Sequence, residues 1–118
     1  MDYARPMRYP GASKCKRTST KDPQMLILSL TYLKANEEAD RYMEPHMAWV
    51  KEGYDRGWFL ASGRKVPRTG GLILSAGDRA EVEAYVAADP FTVHGVARYE
   101  ITEVAITTVV EGLEKLKD

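Results

Sequence analysis

The sequence predicts an α+β domain of the ferredoxin-like class, with the element order β-α-β-β-α-β. Two observations support this class. Four short segments, starting near Met25, Trp58, Gly71 and Val96, have the apolar content and period of strands. Two longer segments between them repeat apolar residues every three or four positions, as amphipathic helices do. The right-handed crossover rule then gives a four-stranded antiparallel sheet with both helices on one face.

Composition limits the classes of protein that this chain can represent. Its 118 residues include 17 basic and 17 acidic side chains, which is typical of one ordinary domain. The longest apolar stretch, residues 26–33, is too short to span a bilayer, so no membrane partner is predicted. Cys15 is the only cysteine, which excludes an intrachain disulfide and fits a reducing compartment. The expected location is cytoplasmic.

The first 24 residues differ from the rest in charge, in amino-acid composition and in lacking an apolar period. They carry six basic and two acidic residues, are rich in Pro, Gly, Ser, Thr and Lys, and show no structural period. We predict that residues 1–24 form a flexible basic extension. It is an appended segment, the product of a start assigned upstream of Met25, or a genuine basic tail. The folded domain is placed at residues 25–108.

The first strand and helix are predicted from their apolar periods. Alternation over residues 25–33 indicates a strand with one strongly apolar face. Asn36 is the expected N-cap of the following helix, which Gly57 ends. Pro45 lacks an N–H and its ring clashes with the preceding turn, so the helix should bend or restart at Glu44 and Pro45.

The second half repeats the pattern with a hairpin and another helix. Residues 58–66 and 71–75 are predicted strands, joined by a short connection that contains Pro67. Asp78 followed by Glu81 three residues later forms a capping-box arrangement at the start of the second helix.

The last strand is predicted over residues 96–106. Tyr99 and Ile101 share one face, but Glu103 breaks the alternation, which indicates a β-bulge. Apolar residues at helical spacing after Thr108 predict that residues 109–118 form a short terminal helix or tail.

Two helices cover only one face of a four-stranded sheet. The uncovered face is expected to include Ile27, together with Trp58, Leu60 and Ile73 or their neighbours. Such a face normally acquires a partner, and face-to-face packing of two copies about a two-fold axis closes it into a barrel-like dimer. We therefore predict a homodimer through the open sheet face.

Two polar residues fall on apolar helix stripes. His46 lies on the stripe of the first helix, and Asp89 lies at the C-terminal end of the second, where the helix dipole disfavours a carboxylate. Structural explanations exist for both: a core histidine bonded to a carbonyl, and an N-cap for a turn that starts at Pro90. Because the helices lie side by side, the two side chains can also converge into a His–Asp dyad.

A set of motifs extends over residues 25–106: Pro45-His46 followed by Trp49, Phe59-Leu60-Ala61-Ser62-Gly63, Gly70-Gly71, Ala88-Asp89-Pro90-Phe91, Gly95 and Tyr99-Glu100-Ile101. In this set the chain resembles the YCII-related proteins, most specifically at His46 and at Asp89-Pro90-Phe91. The resemblance implies a dimeric α+β barrel with an active-site pocket around His46 and Asp89. It also implies a small-molecule ligand, since the few activities assigned in that family degrade small aromatic compounds, including chlorinated ones.

Further pocket residues are expected near the hairpin. Residues 62–71 place three cations beside glycines, an arrangement that can hold a substrate carboxylate or phenolate but is also common in solvated turns. Ser62, Gly63, Arg64 and Phe91 are the predicted substrate contacts. Ser62 lacks the G-x-S-x-G setting of a nucleophile.

Motifs for cofactors, metals and nucleic acids are missing from the sequence. No GxGxxG or Walker-type loop occurs, so no cofactor is predicted. The two histidines, His46 and His94, lack metal-ligand spacing, and no metal site is predicted. Residues 72–74 carry no aromatic side chain for stacking bases, and residues 25–118 are acidic overall, which argues against nucleic acid as a partner.

The leading functional hypothesis is a small, cofactor-independent enzyme that acts on a cyclic or aromatic metabolite. His46 abstracts a proton and Asp89 orients it, leading to isomerisation or elimination. Two alternatives remain at this stage. The protein is a non-catalytic, dimeric ligand-binding or accessory protein, or the His–Asp pair is a buried polar brace.

Overall fold

A computed structural model describes residues 25–117. Its elements are β1 (Met25–Tyr32), α1 (Asn36–Arg41), α2 (Met43–Asp55), β2 (Phe59–Arg64), β3 (Gly70–Ser75), α3 (Arg79–Ala87), α4 (Pro90–Val93) and β4 (Ala97–Val104). The predicted extension over residues 1–24 lies outside the described part of the chain. No helix within residues 25–117 is long and apolar enough to cross a membrane.

The four strands form one open sheet in the order β2-β3-β1-β4, and every neighbouring pair is antiparallel. Leu28 at the centre of β1 lies opposite Ile73 on β3 and Ile101 on β4. The sheet order and the helices confirm the predicted ferredoxin-like α+β class.

The hydrophobic core lies between the sheet and the helices. On β1, Leu26, Leu28 and Leu30 point into it and are buried, as their alternation predicts. One buried cluster consists of Leu26, Leu28, Trp49, Val50, Phe59, Ile73, Val82 and Val86. A second consists of Leu30, Ala39, Phe91, Val96 and Ala97. These two clusters fix α2 and α4 on the sheet.

The opposite face of the sheet carries Ile27, as predicted, with Leu74 directly across from it on β3. Leu72 lies on the same face and is 38% exposed. Of the residues that the sequence analysis left open for this face, Ile73 is buried in the core and Trp58 packs against it, so the face carries Leu72 and Leu74, the neighbours of Ile73. The register between β1 and β3 decides which residues of β3 face the core, since a shift of one residue exchanges the two faces of a strand.

The break in the first helical segment occurs at Tyr42, two residues before the expected site at Glu44 and Pro45. Tyr42 leaves the helical region with φ −109° and ψ 13°. Pro45 thereby becomes the third residue of α2, where a missing N–H costs no intrahelical hydrogen bond. The N-cap also differs, because Ala35 holds that position and Asn36 is the first helical residue.

Caps at the later helices follow the sequence more closely. Glu81 donates its backbone N–H to Asp78 Oδ2 at 3.1 Å, which confirms the predicted N-cap of α3. Asp89 caps α4 by accepting from the Phe91 N–H at 3.0 Å. The expected capping role of Asp89 is therefore present.

The predicted bulge at Glu103 was wrong. β1 and β4 pair without interruption from Met25 opposite Val104 to Tyr32 opposite Ala97. Glu103 therefore stays in phase with Tyr99 and Ile101, and its carboxylate lies 3.6 Å from Arg79 on α3. An ion pair at the sheet end explains the charged residue on the inner face.

The register shift in the sheet occurs instead in β2, between Phe59 and Ala61.

After β4 ends at Val104, residues 105–117 contain one short 3-10 turn, Glu114–Leu116, in place of the terminal α-helix that the apolar spacing indicates. Gly112 has φ +101°, a conformation that ends a helix. The segment is a tail.

Helix α2 approaches the sheet closely at Gly53. A Cβ atom at this position would overlap the ring of Phe59 on β2. The absence of a side chain allows the aromatic ring to fill the space beneath the last turn of α2. This contact sets the distance between α2, which carries His46, and the sheet.

Candidate active site

His46 and Asp89 meet in the interior, as the sequence analysis expects. His46 is on the inner side of α2, and Asp89 is the N-cap of α4. The His46 Nδ1 atom lies 2.8 Å from Asp89 Oδ1. The His46 side chain is 9% exposed and that of Asp89 is fully buried. A buried pair at this distance is a strong, charge-assisted contact when both groups are ionised.

Asp89 accepts three hydrogen bonds. Oδ1 accepts from His46 and from the Phe91 N–H at 3.0 Å. Oδ2 accepts from the Tyr99 hydroxyl at 2.6 Å. Three donors compensate the desolvation of a buried carboxylate, so the residue is satisfied as an anion.

Tyr99 is the member of this network that the sequence analysis missed. Its alternation with Ile101 placed it on the inner face, and a buried phenol requires a hydrogen-bond partner. Burial raises the pKa of the Tyr99 phenol far above its usual value, and the charge of Asp89 and the hydrogen bond to it raise it further. Tyr99 is therefore a permanent donor to Asp89 at physiological pH.

The network determines which nitrogen of His46 carries the proton. An ionised carboxylate only accepts hydrogen bonds, so Nδ1 is the protonated nitrogen of the neutral ring. Nε2 then keeps its lone pair, and it has no hydrogen-bond partner among residues 25–117. The ring borders a cleft. This is the arrangement of a base held in one tautomer by a buried acid.

Aromatic rings fix the plane of the imidazole. The Phe91 ring stacks on His46 with centroids 4.0 Å apart and an interplanar angle of 5°. Trp49, one turn further along α2, lies 5.8 Å away at 23°. Trp49 is itself anchored, because its Nε1 donates to the Tyr85 carbonyl and its own carbonyl accepts from the Tyr85 hydroxyl.

The cleft beside His46 has a volume of about 490 Å³, which is in the range of small-molecule sites. It lies between α2, the hairpin β2–β3 and the end of β1. Its apolar wall consists of Leu30, Met43, Met47, Val50 and Ile73. Its polar side chains are Tyr32, Asp40, His46, Ser62, Arg64 and Arg68. The space suits a flat, mainly apolar molecule with one polar end.

The predicted contact residues lie around this cleft. Ser62, Gly63 and Arg64 line it from β2, and Ser62 Oγ lies 2.8 Å from the Tyr54 hydroxyl. Phe91 also lines the cleft, where it is fully buried and stacks on the imidazole of His46.

The three cations of the hairpin separate into two groups. Arg64 and Arg68 line the cleft, whereas the Lys65 ammonium donates to Thr31 Oγ1 at 3.3 Å and does not line it. Arg68 donates to Asp40 Oδ1 at 2.6 Å and lies 5.6 Å from the centre of the Tyr32 ring. The hydrogen bond to Asp40 raises the pKa of the Arg68 guanidinium.

The second histidine has a different environment. His94 stacks on Tyr42 with centroids 4.2 Å apart. Within residues 25–117, no group of three or more His, Cys, Asp or Glu side chains is placed to hold a metal ion.

The chain is similar to known proteins in both sequence and fold. The family model of the YCII-related domain matches residues 25–105. The chain belongs to the YCII-related family. A search of curated protein sequences finds no significant match.

Solved structures similar to this YCII-related protein include one with a TM-score above 0.5, which shares its fold. One is the 5-chloro-2-hydroxyhydroquinone dehydrochlorinase (TftG) from Burkholderia phenoliruptrix, in complex with 2,5-dihydroxybenzoquinone. It has a TM-score of 0.57 and 14% identity, and the match covers 77% of this chain and 98% of that one. Another is SnoaB, a cofactor-independent oxygenase from Streptomyces nogalater, with a TM-score of 0.47, 11% identity and coverage of 77% and 99%.

Proposed function

We propose that this YCII-related protein is a small cofactor-independent enzyme that removes a proton from a cyclic or aromatic metabolite, leading to elimination or isomerisation. The observation that carries the proposal is the His46–Asp89 pair. Nδ1 is held by a fully buried carboxylate, while Nε2 has no partner among the described residues and the ring borders a cleft.

In the proposed reaction, His46 Nε2 takes a proton from a substrate carbon and becomes an imidazolium. The Asp89 carboxylate stabilises this cation and remains ionised, because Tyr99 and the Phe91 N–H continue to bind it. The electron pair of the broken C–H bond forms a new double bond. In an elimination the leaving group departs with its bonding electrons, and the imidazolium then releases its proton to solvent. In an isomerisation the electron pair of an existing double bond shifts and takes the proton back from the imidazolium at a second carbon.

The reaction as written needs only a proton acceptor and a suitable substrate, so no cofactor takes part. A positioned general base accounts for about 10²–10⁴-fold of a rate enhancement. Ser62, Gly63 and Arg64 are the proposed substrate contacts, and Phe91 supports the imidazole from behind.

The similar structure named as a dehydrochlorinase supports elimination as the reaction type. Its bound 2,5-dihydroxybenzoquinone is a flat, six-membered cyclic molecule. A cleft of about 490 Å³ with an apolar wall accommodates a ring of this size.

We also propose that the protein acts as a homodimer joined through the open sheet face. Ile27, Leu72 and Leu74 present apolar side chains on this face, and a second copy would bury them. The single cysteine of the sequence fits a cytoplasmic location for this dimer.

The test compares two histidine variants in assays with chlorinated hydroquinones and small lactones. We expect His46→Gln to lower kcat by about 10²-fold or more, because the amide cannot accept a substrate proton. His94→Gln is the matched control, since His94 stacks on Tyr42 and forms no hydrogen bond or ion pair with Asp89. Circular dichroism verifies that both variants are folded.

Turnover that survives in His46→Gln would overturn the assignment of His46 as the base. Ligand binding without turnover in the unmodified protein would favour the alternative, a non-catalytic dimer that binds small ligands.

A further inference from the structure

We propose that the cleft selects ligands with a single negative charge, which Arg64 binds while Asp40 neutralises Arg68. This inference rests on the proposed function, because it names the class of molecule that the same site accepts. It predicts monoanions such as carboxylates or phenolates of one aromatic ring, in preference to neutral molecules and dianions.

Arg64 provides the binding charge. It is the last residue of β2, lines the cleft and is exposed. Within residues 25–117 no carboxylate forms an ion pair with it, whereas Arg41, Arg56 and Arg79 each have a Glu partner. An arginine at the edge of an apolar cleft, with no carboxylate partner in the described part of the chain, is suited to bidentate binding of a ligand carboxylate.

Arg68 is already neutralised. Its guanidinium donates to Asp40 Oδ1 at 2.6 Å and lies over the Tyr32 ring, and both charged residues line the cleft. The pair connects the hairpin loop to α1 across the same cleft. The two charges cancel, so Arg64 supplies the one uncompensated positive charge among the residues of the 25–117 segment that line the cleft.

The charge count has a consequence for each type of ligand. A neutral ring leaves the guanidinium of Arg64 unmatched and gains only apolar contacts with residues such as Val50 and Ile73. A dianion brings a second negative charge that the paired Arg68 does not match, because Asp40 already neutralises it. A monoanion satisfies Arg64 and places its ring against the apolar wall.

Lys65 provides a matched control on the same hairpin. It is adjacent to Arg64 in sequence, but it bonds to Thr31 and does not line the cleft. Removing either charge changes the net charge of the protein equally. A difference between the two variants therefore reports on the cleft and not on the long-range field.

The experiment measures binding of three probes by titration calorimetry at neutral pH and low salt: benzoate, neutral benzamide and dianionic phthalate. We expect benzoate to bind more tightly than the other two probes. Arg64→Gln is expected to weaken benzoate binding by about tenfold or more, the usual scale of a charge-assisted hydrogen bond. Lys65→Gln is expected to change it less than about twofold.

The variant Asp40→Asn tests the neutralisation directly. Freeing Arg68 raises the positive charge of the cleft, so phthalate binding is expected to strengthen by about fivefold or more relative to benzoate. Equal effects of Arg64→Gln and Lys65→Gln, an unchanged phthalate-to-benzoate ratio in Asp40→Asn, or no preference of the unmodified protein for benzoate would each overturn the inference.

Repeating the titrations in His46→Gln separates this inference from the proposed catalysis. A charge preference that persists there supports the binding model even if no turnover is found. Turnover that depends on His46 but ignores ligand charge would overturn the binding model alone.

Discussion

The imidazole of His46 lies flat against the phenyl ring of Phe91, with the two centroids 4.0 Å apart and the planes 5° apart. The same short helix, α4, supplies both Phe91 and the Asp89 cap that binds Nδ1. One turn of backbone therefore sets the tautomer, the direction and the plane of the proposed base.

Replacing Phe91 by leucine should lower kcat while the protein stays folded. Leu keeps an apolar side chain but loses the flat surface, so we expect kcat to fall while KM changes little. Loss of buried volume and of the stacked pair should lower the free energy of unfolding by about 1–3 kcal/mol. Urea denaturation and steady-state kinetics measure the two effects. A rise in KM with kcat unchanged would contradict a positioning role.

Variants of Asp89 distinguish its negative charge beside His46 from its role as the N-cap of α4. Asn keeps an oxygen that accepts the Phe91 N–H but cannot stabilise an imidazolium, so Asp89→Asn should stay folded and lose about 10²-fold or more in kcat. Asp89→Ala also leaves His46 and Tyr99 without their buried partner and should cost about 3–5 kcal/mol of stability. Near-normal kcat in Asp89→Asn would favour a purely structural brace.

The buried phenol of Tyr99 should make stability fall at high pH. Its pKa is raised in the folded protein, first by burial and then by Asp89, whereas in the unfolded chain it is about 10. The stabilising contribution is complete below pH about 10. Above that pH the unfolded chain releases a proton that the folded protein retains, and stability falls by about 1.4 kcal/mol per pH unit.

Tyr99→Phe isolates this effect. At neutral pH the loss of a hydrogen bond to a carboxylate should cost about 1.5–3 kcal/mol. Above pH 10 the difference between the two proteins should shrink, because phenylalanine has no proton to retain. Urea denaturation between pH 7 and 11 measures both, with Tyr85→Phe as a second tyrosine variant. A constant difference across this range would contradict the burial of the phenol.

The open sheet face should determine the oligomeric state. Ile27 lies between Leu74 and Thr102 on that face, away from the core. We expect the protein to be a dimer at micromolar concentration and Ile27→Glu to be a folded monomer, because a buried unpaired carboxylate is costly. Val93→Glu, on an exposed residue of the helical layer, is the control. Light scattering that shows a monomeric unmodified protein would refute the proposed dimer.

Apolar periodicity sufficed to predict the order of the elements and to place His46 and Asp89 on inner helix positions. Both residues were conspicuous because a polar side chain interrupted an apolar stripe. Tyr99 escaped notice for the opposite reason: a tyrosine is compatible with an inner strand position, and its hydroxyl partner lies ten residues earlier in the sequence, on another element.

Errors arose where tertiary contacts override local preference. Glu103 interrupts the strand pattern because Arg79, on a different element, balances its charge. The faces of Ile73 and Leu72 depend on the register between β1 and β3, which periodicity within one strand does not specify. Asn36 is a good capping residue, yet the helix begins one residue earlier than a cap at that position requires.

The side chain at residue 53 sets how closely α2 approaches the sheet beside the cleft. Gly53 lies seven residues after His46 on α2, about 10 Å along the helix axis, and it rests directly on Phe59. A single methyl group at residue 53 would act as a wedge under one end of the helix and tilt the other end, with its imidazole, away from the hairpin. The size of substrate that fits is thereby coupled to a position that touches no part of the cleft.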